Sequence, residues 1–122
     1  MKYVDFVLAD YRYLCTNLCD NFEKIVGAWA FKEAELIASA SKSGFPVPNK
    51  QEQKKMFVQA QLMIGMAQTN QEMYGAMNYV SVSFANADSY LFPMADGVIL
   101  AVMCVKPYSL DVISKTVSEL IA

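Results

Sequence analysis

The run SYLFPMADGVILAVMCV, residues 89–105, constrains the fold more than any other part of the chain. Asp96-Gly97 suits a tight hairpin turn, because both residue types tolerate the positive φ that the twist-matched two-residue turns require. A strand with one dry face alternates apolar and polar residues, whereas VILAVMCV, after the turn, is apolar at every position. Such a strand is central and covered on both faces, so layers of structure must lie above and below a sheet. Pro93 cannot donate to a strand ladder and belongs near the end of the preceding strand.

The rest of the chain supplies those layers. Val4, Val7, Leu8, Tyr11, Leu14, Cys15, Leu18, Cys19 and Phe22 recur at steps of three and four, which predicts an amphipathic first helix. KIVGAWAF and AELIASAS form two strand-like runs around Lys32 and Glu33, a predicted hairpin. KSGFPVPN is a loop, because its glycine and two prolines break any regular element. Asn49 can then cap a long helix over residues 50–77, accepting from the free N–H groups of its first turn. In YVSVSFA, Val80, Val82 and Phe84 share one face and Ser81 and Ser83 the other, as in a strand with a single buried face. After Pro107, Ser109 can cap a last helix whose Leu110, Ile113, Val117 and Leu120 again repeat at three and four. The order is α-β-β-α-β-β-β-α in one α+β domain spanning residues 1–122.

Composition narrows the function classes. With 55% apolar and 18% charged residues, the chain can bury a core. A net charge of -2 with scattered basic residues leaves no electrostatic footprint for nucleic acid. The longest apolar run is too short to span a bilayer. The first residues lack the apolar core of a signal peptide, and an odd cysteine count argues against a disulfide framework, so the cytoplasm is the expected compartment. There is no histidine, which removes the commonest general base and metal ligand. Cys15 and Cys19 have i,i+4 spacing but lie on the apolar helix face; together with Cys104 they read as core residues rather than metal ligands. Glu33, Glu35, Asp88 and Asp96 fall at predicted turns, where acids are expected for backbone reasons. The chain is expected to be no enzyme and to need no cofactor or metal.

FEKIVGAWAF, LIASAS and SYLFPMADGVILAVMCVKPYSLDVISKTVSEL, in this element order, resemble the roadblock family, whose name comes from a dynein light chain. The resemblance covers nearly the whole chain, but its patterns are hydrophobic and include no catalytic motif. The chain departs from the family at Lys32-Glu33, where an Asp-Gly type turn is common, and at Leu110-Asp111, where a Leu-Gly pair is common. The resemblance implies a five-stranded antiparallel sheet with helices one and three on one face and helix two on the other. It also implies dimers in which third strands pair edge to edge while the second helices pack antiparallel, and a role in regulating or tethering small Ras-like GTPases.

That arrangement accounts for helix two, which is apolar on too many sides to serve a single core. Met56, Met63, Met66, Ala67 and Tyr74 share one side, expected against the sheet; for Met56, Met63 and Met66 a core role is favoured over a binding surface. Val58, Leu62, Gly65, Thr69 and Ala76 share a second side, expected against a partner helix, with Val80 and Val82 of strand three completing the dimer interface. Lys54, Gln61, Gln68 and Glu72 form a polar strip, expected to face the GTPase. Deep burial of helix two within its own domain is the plainer alternative. A structural light-chain-type subunit and a longin- or profilin-like binding domain are the competing functional readings.

Overall fold

The computed structural model describes residues 2–121, with side chains described for residues 10–116. In chain order the elements are α1 (Lys2–Asn21), β1 (Ile25–Lys32), β2 (Glu35–Ser41), α2 (Lys50–Gln68), α3 (Gln71–Tyr74), β3 (Val80–Ser83), β4 (Ala87–Pro93), β5 (Ile99–Val105) and α4 (Leu110–Ile121). The strands form one sheet in the order β2-β1-β5-β4-β3, and each pair of neighbours is antiparallel. The all-apolar strand is therefore the middle one, and Pro93 is the last residue of β4.

Strand alternation divides the interior in two. Ala28 and Ala30 of β1, Tyr90 and Phe92 of β4, and Leu100, Val102 and Cys104 of β5 share a cluster with Cys15, Leu18 and Cys19 of α1 and Ile113 of α4. The intervening residues Phe31, Leu91 and Ile99 share the second cluster with Phe57, Ala60 and Ile64 of α2. Because successive strand residues point to opposite faces, the two clusters lie on opposite sides of the sheet. All three cysteines are buried, as expected of core residues. Val4, Val7, Leu8, Val117 and Leu120, expected on the apolar faces of the terminal helices, lie outside the residues described at side-chain level.

Asn49 caps α2 reciprocally. Its side chain accepts from the Glu52 N–H at 2.8 Å while its own N–H donates to Glu52 Oε1 at 3.2 Å. The helix stops at Gln68 rather than continuing to residue 77. Thr69 Oγ1 donates to the Met66 carbonyl at 2.7 Å and the Thr69 N–H donates to the same carbonyl at 3.3 Å, which tightens the last turn. The Asn70 carbonyl then starts the separate turn α3, which ends at Gly75 with φ 88. Glu72 and Tyr74 therefore sit on α3, and Ala76 lies beyond it; none of them continues a face of α2.

Two hairpin turns show how residue type meets backbone demand. Asp96 and Gly97 both have positive φ, 60 and 78, and the Val98 N–H closes the turn on the Ala95 carbonyl at 3.2 Å. In the β1–β2 hairpin the turn residues are Glu33 and Ala34, one position later than expected, with φ 51 and 63. Lys32 instead pairs with Glu35. A side chain at such φ costs about 1–2 kcal/mol, of which glycine avoids most at some entropic cost. Glu33→Gly should therefore raise stability by about 0.5–1 kcal/mol. A urea midpoint that fails to increase would contradict this reading of the turn.

Candidate interaction surface

Phe57 sets the rotation of α2. Its ring stacks on Phe31 of β1 with centroids 4.0 Å apart and planes 9° from parallel. Ala60 and Ile64 follow at steps of three and four, so this stripe faces the sheet. The expectation that Met56, Met66 and Tyr74 lie in the core is overturned: Met56 is 45% and Met66 72% exposed, and Tyr74 is exposed on α3. Met63 is half-buried beside the second cluster. At the helical period, Leu62 points directly away from the stripe. It is 62% exposed, and Val58, 44% exposed, flanks it together with Met66. The outward side of α2 is thus an apolar ridge.

Gly65 lies on this ridge, and a Cβ built there would meet nothing within 4 Å. Thr69 is exposed at its end, whereas Ala76 is displaced by the break after Gln68. Val80 and Val82 are half-buried on β3, the last strand of the sheet, and Phe84 just beyond is 56% exposed. The expected polar strip is broken. Lys54 and Gln68 are exposed on α2, Gln61 is half-buried with its Oε1 buried and without a hydrogen-bond partner among the described residues, and Glu72 stands on α3.

Asp88, expected to serve turn chemistry alone, is part of a polar cluster that holds this edge in place. The Lys106 ammonium reaches from the end of β5 to Ser83 Oγ at 2.7 Å, the Phe84 carbonyl at 2.8 Å and Asp88 Oδ1 at 3.2 Å. Tyr108 donates to Asp88 Oδ2, so the Tyr90 hydroxyl, 2.6 Å away, is left to donate to Tyr108. Hydrogen bonds from Ser83 and Tyr108, with the Lys106 charge, hold the Asp88 carboxyl below its ordinary range. Burial, and then the Asp88 carboxylate, push the Tyr108 phenol upward.

Burial pushes Cys15 to about 12 and Cys104 to about 11, and raises Cys19, so these thiols stay protonated and unreactive at neutral pH. Among the described residues, no group of three or more His, Cys, Asp or Glu is placed to hold a metal ion. No helix of the described residues is long and apolar enough to cross a membrane.

The second face of the sheet also carries a cleft under α2, with a volume of about 570 Å³. Trp29 forms part of its lining, and its ring lies over Gly27, where a Cβ would come within 2.2 Å of Cη2. A glycine inside a strand run marks such a close approach, so this feature left a signal in GAWAF.

Solved structures share this architecture over nearly the whole chain. A Roadblock/LC7 domain from Streptomyces avermitilis is 12% identical with a TM-score of 0.70, covering 90% of each chain. The chain has the Roadblock/LC7 fold. MglB of Myxococcus xanthus is similar at 16% identity and a TM-score of 0.68, covering 93% of this chain and 86% of that one. The gliding protein MglB of Thermus thermophilus gives 12% and 0.64 over 92% and 87%. No protein-family model and no curated protein sequence matches the chain. At these identities the likeness is one of fold.

The clamp has a pH signature. A carboxyl whose folded pKa is depressed contributes stability that is present above its unfolded value, about 3.9, and is lost as pH falls through the folded value. Asp88→Asn should lower the melting temperature at pH 7, and the gap to the native protein should narrow as pH drops below about 4. Equal gaps at pH 7 and pH 2.5 would contradict the clamp.

Proposed function

We propose that this protein is a non-catalytic interaction module that works as a homodimer and binds a small Ras-like GTPase, or scaffolds an assembly containing one. The observation that carries the reading is the apolar ridge Val58–Leu62–Met66 on the side of α2 facing away from the sheet. Each such side chain forgoes about 1.5–3 kcal/mol by remaining in water. A second α2 packed antiparallel on this ridge recovers that burial, and Gly65 admits a close approach of the two backbones. The neighbouring edge of β3 offers N–H and C=O groups that a second β3 can satisfy. Neither Lys nor Pro interrupts VSVS to discourage such pairing.

The GTPase part rests on the roadblock resemblance and on the fold shared with MglB. The exposed Lys54 and Gln68 on α2 and Glu72 on α3 supply its contact surface in this reading, with Gln61 half-buried between them. Nucleic acid is not a partner. The three free, buried cysteines suit a reducing compartment, and the cytoplasm is the proposed location.

Sedimentation velocity at low micromolar concentration tests the dimer. The native chain should sediment as a dimer and Gly65→Glu as a folded monomer with unchanged circular dichroism, because the protomer leaves open space at that position. A native monomer removes the homodimer reading. The partner assignment is tested separately with Ras-like GTPases from the source genome, loaded with GDP or a GTP analogue. Lys54→Glu combined with Glu72→Lys should weaken binding severalfold and leave the dimer intact; unchanged binding rejects this contact surface.

A further inference from the structure

The apolar ridge on α2 contains one atom that its aliphatic members lack. Val58 and Leu62 are hydrocarbons, whereas Met66, one turn beyond Leu62, carries a thioether sulfur. Met66 is the most exposed methionine of α2 and points away from the Phe57–Ala60–Ile64 stripe, so the seating of the helix on the sheet does not depend on it. Hydrogen peroxide oxidises thiolates and exposed thioethers. The thiols are withdrawn from that competition, because Cys15, Cys19 and Cys104 are buried and burial keeps them protonated. Among the described residues the accessible oxidisable sulfur therefore belongs to exposed methionines, and Met66 is the one that stands on the ridge.

Resting on the homodimer reading, we propose that hydrogen peroxide oxidises Met66 to the sulfoxide and thereby holds the chain as a monomer, which makes the α2 ridge a redox-sensitive switch. The sulfur lone pair attacks one peroxide oxygen; an S–O bond forms as the O–O bond breaks, and the departing hydroxide takes the proton of the transferred oxygen to leave as water. Sulfur loses two electrons and the peroxide gains them. The product sets a polar sulfoxide among Val58, Leu62 and Gly65, where burying it without a hydrogen bond is unfavourable. With both copies oxidised, a symmetric interface carries that change twice. Conversely, a second α2 seated on the ridge covers the sulfur, so peroxide acts on the free protomer and association protects Met66.

Mass spectrometry and sedimentation velocity after brief exposure to hydrogen peroxide test the switch. Met66 should oxidise more slowly as protein concentration is raised through the association midpoint, whereas Met73, 74% exposed on α3 and off the ridge, should oxidise at one rate throughout. The oxidised chain should associate about tenfold more weakly or worse, with unchanged circular dichroism. The two stereospecific methionine sulfoxide reductases should restore the dimer. Met66→Leu, which keeps an apolar side chain without sulfur, should stay dimeric after the same exposure, while Met73→Leu should dissociate as the native chain does. A native chain that stays dimeric with Met66 oxidised overturns the proposal and leaves the dimer standing. So does a Met66→Leu chain that dissociates as readily as the native one, or a Met66 oxidation rate that ignores protein concentration. A native chain that is monomeric before any treatment removes the dimer reading and the switch together.

Discussion

β5 is packed from both sides, and the remaining elements are arranged around that requirement. Leu100, Val102 and Cys104 face α1 and α4, while Ile99 and Ala101 face α2. A strand of this kind cannot be an edge, and its flanking β1 and β4 place it third of five. Hairpin turns then push β2 and β3 to the two edges. The exposed edge of β3 is therefore a consequence of how β5 must be buried. Leu62 of the apolar ridge and Val82 and Phe84 at that edge line one cleft.

What α2 presents outward depends on one aromatic contact. The helical period relates residues to one another but does not say which side meets the sheet. A helix apolar nearly all round leaves that phase open, which is why Met56 and Met66 were expected inside. The Phe31–Phe57 stack closes the question by turning Phe57, Ala60 and Ile64 inward and Leu62 outward. Val58, Leu62 and Gly65 were legible as a second face because their mutual spacing is independent of the phase. Ala76 and Glu72 were not, because Thr69 and Asn70 offer side-chain and backbone hydrogen bonds that compete with a continuing helix.

Other parts of the fold were plain in the residues, for stated reasons. The Asn49 cap, the Asp96-Gly97 turn and the burial of the cysteines each follow from local chemistry that tertiary packing did not override. The Glu33-Ala34 turn was hidden because neither residue type favours positive φ. The Lys106–Asp88–Tyr108 clamp was hidden because it joins β4 to the segment after β5 across 18 or more positions. By holding Ser83 and Phe84, the clamp fixes the far end of β3 at the edge of the sheet.

The central claim is that the β3 edge and the α2 ridge together meet a second copy of the chain. Amide hydrogen exchange measured at two protein concentrations, one well above and one well below the association midpoint, tests it at the residues concerned. The account predicts that amides of residues 80–83 and the outward side of α2 gain protection at the higher concentration, while the core amides of β5 do not change. Identical exchange of β3 at both concentrations, in a protein that does associate, would place the contact elsewhere and contradict the account.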